Sequence, residues 1–187
     1  MTVGERDFVL LAGLPGAGKS TLLAGLRDTA AMTVRDSDQV RGRLRDGLPA
    51  GTPYRAYRPL VHLVHHLRVL VAVLAAAGPV LVHEPATRAV TRHALAAAAW
   101  LAGRPAVFIW LDAGPQQALD GQRCRGRMIR PASFARHVAR AEVLRKDLLL
   151  GAVPPGWNRT VVLDRETVSN GIEVVVRKPG CASTTPV

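Results

Sequence analysis

An apolar run, Phe8-Val-Leu-Leu-Ala12, passes without a spacer into Gly13-Leu14-Pro15-Gly16-Ala17-Gly18-Lys19-Ser20 and then into Thr21-Leu22-Leu23. Few sequence features restrict a fold so tightly. A short apolar run reads as a buried strand, and "KSTLLAGLRDTA" reads as a helix with Leu22, Leu23 and Leu26 on one face. Glycines between a strand and a helix let successive backbone N–H groups converge on one point, where the helix N-terminus adds partial positive charge. Such a loop belongs at the carboxyl end of a strand in an α/β sheet.

The rest of the chain follows that expectation. Apolar strand-like runs recur at Ala31–Val34, at "PVLVHE", at Pro105–Asp112 and at Arg159–Asp164. Helical patterns lie between them, from Asp36/Ser37 to about Arg45, over Leu60–Ala77, over Val90–Ala102 and over "PASFARHVARAEVLRKDLLL". Asp46–Pro59, rich in glycine and proline, reads as a loop. Strand alternating with helix about five times predicts a five-stranded parallel sheet covered by helices on both faces, with ligands at the carboxyl ends of the strands. At 187 residues the chain suits one domain, expected over residues 1–178, with a frayed tail over 179–187. "IEVVVRK" in the tail is open to either a last helix or a sixth strand.

The glycine loop matches the Walker A pattern at all eight positions and in its required strand–helix context. Gly13, Pro15, Gly16, Ala17 and Gly18 therefore line a nucleotide phosphate site, the Lys19 amine reaches the β and γ phosphates, and the Ser20 hydroxyl ligates Mg2+. Thr21 either packs or contacts the α-phosphate.

Other residues narrow the class. A GTPase needs a guanine-reading Asn/Thr-Lys-x-Asp segment, and the chain has none. A motor-type ATPase usually ends a strand in Asp-Glu, whereas here "LVHEP" supplies Glu84 alone, an acidic group able to hold a metal-bound water. A small phosphotransferase needs a base, cations for the acceptor and a closing lid. "DSDQVR" places Asp36, Asp38 and Arg41 one strand beyond the phosphate loop, with Asp38 and Arg41 three apart on one helix face. These suit a general base and an acceptor-binding cation. The competing reading makes Asp36 a helix cap and Asp38–Arg41 a surface ion pair. Gly121–Pro131 crowds Arg123, Arg125, Arg127 and Arg130 between flexible residues and reads as the lid, with Arg123 favoured as the catalytic cation. Thr87 and Arg88 are open to acceptor contact or to a simple helix start. His62 and His66 have zinc spacing but lack a third ligand, so packing or substrate contact is expected.

Composition adds bounds. A net charge of +11, nearly all from arginine, fits either a solvated basic surface or attraction for polyanions. Aromatic residues, at 4%, offer few platforms for stacking bases. The start of the chain lacks the order of a signal peptide, no apolar run reaches a membrane span, and the two cysteines have no metal spacing; a cytoplasmic location and no membrane partner are expected.

At "GLPGAGKST", "DSDQVR" and "EPATR" the chain resembles the P-loop kinases that include polynucleotide 5′-hydroxyl kinases, zeta toxins and antibiotic phosphotransferases, over roughly Phe8 to Asp164. The resemblance implies a nucleoside-kinase-like P-loop NTPase fold and an ATP- and Mg2+-dependent kinase. It implies Asp38 as the base for an acceptor hydroxyl, Arg41 as a grip on substrate phosphate, and Arg123 and Arg127 as lid cations. It also implies Asp164 and Arg165 beside the adenine. The acceptor is left open between a polynucleotide 5′ end, a nucleoside and a small molecule. A non-catalytic nucleotide-binding regulator or a partner-dependent NTPase is the alternative from another class.

Overall fold

The computed structural model describes residues 2–25 and 32–164, together with the backbone of 175–177. The elements are β1 (Thr2–Gly4), β2 (Phe8–Gly13), α1 (Lys19–Gly25), β3 (Thr33–Asp36), α2 (Ser37–Asp46), α3 (Tyr54–Ala75), β4 (Val80–His83), α4 (Ala89–Leu101), β5 (Ala106–Asp112), α5 (Pro115–Cys124), α6 (Pro131–Leu149), β6 (Arg159–Asp164) and β7 (Val175–Arg177).

Five strands form one parallel sheet in the order β3-β4-β2-β5-β6, and β1 pairs with β7 in a separate two-stranded sheet. β2 lies at the centre, and all six of its residues are buried. Its side chains alternate between two cores, as the period of a strand requires. Phe8, Leu10 and Ala12 join Val69, Val73, Leu95, Phe108, Trp110 and Leu144, which places α3, α4 and α6 on one face. Val9 and Leu11 join Leu22, Met32, Leu81 and Ile109, which places α1 on the other. The sheet is thus covered on both faces, as the sequence predicts. The phosphate loop emerges from the carboxyl end of the central strand, with β4 and β5 on either side.

Several boundaries differ from expectation. The second strand of the sheet occupies Thr33–Asp36 rather than Ala31–Val34, so Asp36 ends the strand and caps α2 with a carboxylate that accepts from the Asp38 amide at 2.9 Å. The expected loop Asp46–Pro59 ends early, because α3 begins at Tyr54 and carries Pro59 inside it. Tyr57 packs with Val40 and Val61, and this burial outweighs the hydrogen bond that Pro59 cannot make. Lengthened this way, α3 has a mean hydropathy of 1.3 over its best window and meets the length and apolarity of a membrane span, contrary to expectation, although Val61, Val69 and Val73 pack inward. In the proposed lid, Gly121–Cys124 belongs to α5. β1 was not foreseen. Val175–Arg177 takes the strand alternative for the tail, whereas 179–187 lies outside the described residues.

Candidate active site

The phosphate loop is pinned from two sides. Gly16 and Gly18 adopt φ of 96° and 106°, a region that L side chains seldom enter, so the sequence must supply glycine there. α5 then packs directly on the loop. A Cβ on Gly16 would meet the Ala118 carbonyl oxygen at 2.0 Å, and one on Gly121 would meet the Gly16 carbonyl oxygen at 2.2 Å. Gly121, expected as a lid hinge, is instead the point of closest approach between α5 and the loop. The buried Gln122 locks this contact: its Nε2 donates to the Pro15 carbonyl at 2.9 Å, and its Oε1 accepts from the Ile129 amide at 3.0 Å. Neither role was legible in the sequence, where Gln122 is one polar residue among arginines.

Lys19 is 4% exposed, and its ammonium donates to the carbonyls of Gly13 and Leu14, each at 2.9 Å. Burial, with the nearby Arg125 adding to it, pushes its pKa down to about 7 against a smaller opposing pull from Asp36. Ala17 is buried, and the Thr21 amide bonds to the Gly18 carbonyl in the first turn of α1.

The arginine segment reaches across the site. Arg125 donates to Ser20 Oγ at 3.2 Å. Arg127 grips Asp38 with both terminal nitrogens, at 3.0 Å to Oδ2 and 2.8 Å to Oδ1. Arg123 turns to Asp120 on its own helix, at 2.8 Å. The cations brought to the phosphate loop and to the acidic residue are therefore Arg125 and Arg127, and Arg125 is a residue the sequence left unassigned. One helical position decides this: Arg123 still lies within α5, whereas Arg125 caps it and Arg127 follows the turn at Gly126.

Asp38 pairs with Arg127 and not with Arg41, so the surface ion pair of the competing reading is not formed. Arg41 sits over the Tyr54 ring, 4.2 Å from its centroid. Asp38, Arg41, Gly42, Arg45 and Arg127 line one open recess, in which Arg45 also donates to Asp46 at 3.0 Å. Asp36 faces inward, with its Oδ2 lying 2.9 Å from His83 Nδ1. Burial alone would raise the Asp36 carboxyl; the His83 contact and the Asp38 amide outweigh it and hold it low.

Glu84 and the α3 histidines form a second cluster. His66 Nε2 lies 3.5 Å from Glu84 Oε1, and His65 Nε2 lies 3.9 Å from Oε2. His66 Nδ1 faces the His62 carbonyl at 2.7 Å. The Glu84 contact and the His62 carbonyl raise the His66 pKa against the effect of burial. Burial favours neutral Glu84, but His66, His65 and His62 outweigh it and keep the carboxyl low. Glu84 Oε2 has no hydrogen-bond partner. Together with the Ser20 hydroxyl, this offers the hard oxygen donors that Mg2+ takes alongside phosphate and water. Among the described residues no group of three His, Cys, Asp or Glu could hold a metal.

After β4 the chain turns through Ala86, whose φ is 48°, and the Arg92 guanidinium holds the turn by donating to the carbonyls of Ala86 and Thr87. Thr87 is buried and bonds through its hydroxyl to His137 Nδ1 at 2.8 Å. Burial, then Arg140, Lys19, Arg88 and Arg58, lower His137 to about 4, so this ring is neutral at pH 7. Arg88 caps α4 with its backbone, and its side chain is exposed. Asp164 ends β6 opposite Asp112 of β5, and Arg165 lies outside the described residues.

A family profile described as an AAA domain matches residues 8–146, which span every element from the phosphate loop through most of α6. The chain belongs to this AAA domain family. Among solved structures, the AAA domain here is similar to one from the PezAT toxin–antitoxin system of Streptococcus pneumoniae, with TM-score 0.63 and 15% identity over 89% of this chain and 71% of that one. It is also similar to shikimate kinase from Acinetobacter baumannii, with TM-score 0.52 and 16% identity over 88% and 87%. A chain of the Pnkp1/Rnl/Hen1 RNA repair complex gives TM-score 0.59 and 15% identity over 78% of this chain and 47% of that one. The shared fold is that of the P-loop kinases. No curated protein matches the sequence.

Proposed function

We propose that this AAA domain is a small ATP-dependent phosphotransferase that moves the γ-phosphoryl group to a hydroxyl of its acceptor. The observation that carries the reading is the reach of one arginine segment to both halves of the site: Arg125 to Ser20 on the phosphate loop, and Arg127 to Asp38 beyond β3. A donor loop, a carboxylate held by the same arginine segment and cations spanning the two are the parts that phosphoryl transfer between two bound substrates needs.

In this reading the loop amides from Gly13 to Thr21 and the Lys19 ammonium hold the ATP phosphates. Asp38 accepts the proton of the acceptor hydroxyl as that oxygen attacks. Arg125 and Arg127 take up the charge that develops on the transferring group, a role that passes from Arg123 to them. Arg41 beside Asp38, with Arg45 shared between the recess and Asp46, favours an acceptor that carries negative charge of its own, whether a polynucleotide 5′ end, a nucleotide-like molecule or an anionic metabolite. Ser20 and, through water, Glu84 would hold Mg2+, which when bound screens the charge on the β and γ phosphates. Asp36 fixes the start of α2 and so aims Asp38.

The test is transfer from labelled ATP to a panel of 5′-hydroxyl oligonucleotides, nucleosides and small anionic alcohols, with Asp38→Asn beside the wild type. Loss of about 10²–10⁴-fold in transfer, with ATP binding retained, is expected. Wild-type protein that binds ATP but phosphorylates nothing in the panel would favour the nucleotide-binding regulator. Full transfer by Asp38→Asn would remove Asp38 as the base.

A further inference from the structure

α3 carries a surface that nothing in the phosphate site uses. Leu60, Leu63, Leu67, Leu70, Val71 and Leu74 are each between 44% and 62% exposed. The five leucines step by three, four, three and four residues, the spacing that keeps a stripe in register along a helix pair. The opposite side of α3, through Val61, His65, Val69 and Val73, is already buried in this chain. The stripe is therefore not the spare edge of a core helix; it is a second apolar face.

We infer that this stripe is the interface with a second copy of the chain, with the two α3 helices packed antiparallel about a two-fold axis at Leu67. In that arrangement the pattern meets itself: Leu60 falls opposite Leu74 of the other copy, and Leu63 falls opposite Val71 beside Leu70. An isologous contact requires such symmetry. Charge selects the direction. α3 has no acidic residue, and Arg55 and Arg58 stand exposed at its start. Parallel packing would press these cations together, whereas Arg68, beside the axis in either direction, is turned off the stripe and donates to Gln39 of α2 at 3.3 Å. Antiparallel packing sets the two Arg58 residues roughly 27 Å apart along the pair, well beyond the screening length in physiological salt.

Area supports the same occupant. Six half-exposed large side chains present on the order of 400 Å² of apolar surface, the size of the largest patch on a monomer, which is often functional. α4 lies beside α3 on the same face of the sheet and ends in Trp100 and Leu101, which are 77% and 73% exposed. With these the surface approaches the roughly 800 Å² per partner of a stable interface.

Light scattering and sedimentation of the full chain at micromolar concentration test the inference. A mass of about twice 20.0 kDa is expected for the wild type. Leu67→Glu, at a position exposed in the single chain, should return the mass to 20.0 kDa with the far-UV spectrum preserved. In a Cys124→Ser, Cys181→Ser background, Leu67→Cys should cross-link two chains on mild oxidation, whereas Leu60→Cys should do so only when mixed with Leu74→Cys. A monomeric wild type would overturn the proposal, as would a Leu67→Glu dimer or a dimer that Leu67→Cys fails to cross-link. A monomer that pellets with phosphatidylglycerol vesicles, and no longer does so as Leu67→Glu, would assign the stripe to a membrane surface instead.

Discussion

Gly121→Ala isolates the packing that fixes the phosphate loop. The new Cβ would stand 2.2 Å from the Gly16 carbonyl oxygen, so α5 and the loop must separate by about 1 Å to reach ordinary contact. Neither partner can rotate away, because the obstructing atoms are backbone. Overpacking of this kind costs about 1–3 kcal/mol, and a rigid backbone contact lies at the upper end. Alanine inside a helix returns about 1 kcal/mol, which leaves a net loss of about 2 kcal/mol. For a chain of this size that lowers Tm by roughly 4–8 °C. Gly42→Ala is the control, since nothing lies within 4 Å of the Cβ it would add in α2, and it should hold or raise Tm. The functional effect should exceed the thermodynamic one: a loop displaced by about 1 Å no longer aligns the γ-phosphate, with transfer reduced about 100-fold. Calorimetry and ATP titration of both variants decide the matter. Unchanged Tm and unchanged nucleotide affinity in Gly121→Ala would refute the reasoning.

The other expectations concern charge. Arg125→Ala and Arg127→Ala should each lower transfer at least about tenfold with little loss of stability, since the half-exposed Arg127–Asp38 pair contributes about 1 kcal/mol or less, while Arg123→Ala should stay close to wild type. Steady-state rates beside melting curves separate the three. Lys19, with a pKa of about 7 when folded, should take up a proton as ATP binds at pH 8, visible by calorimetry in buffers of different ionisation enthalpy. Because the unfolded chain binds more protons at this site between pH 7 and 10.5, stability should rise with pH across that window, and Lys19→Met should flatten the rise. Glu84 is held low and His66 high, so their pairing stabilises the fold most between the two unfolded values. This contribution fades as pH falls through the folded Glu84 pKa and again as pH rises through the folded His66 pKa. Glu84→Gln should blunt both limbs and lower the His66 pKa read by NMR.

What the sequence disclosed, and what it hid, follows one physical division. Local patterns were legible: the apolar run, the glycine loop and the alternation of elements act over a few residues and dictate the parallel sheet and the edge that carries the glycine loop. The roles of individual arginines were not. Arg123, Arg125 and Arg127 are equivalent as cations in a sequence, and only the end of α5 decides which points at Asp120, which at Ser20 and which at Asp38. Gly121 shows the same limit. Glycine next to arginines suggests a hinge, yet the demand on it comes from the Gly16 carbonyl, more than a hundred residues away. The start of α3 was misread because proline was weighed locally, whereas Tyr57 is buried against Val40 and Val61. His137 gave no signal at all, since its neutrality arises from burial and from cations gathered around it by the fold. Pairings between distant segments therefore set the chemistry of this site. The Arg127–Asp38 pair is the clearest of these, because it joins residues 89 apart in the chain at the recess that Arg41 also lines, and a substrate anion there would meet both guanidinium groups.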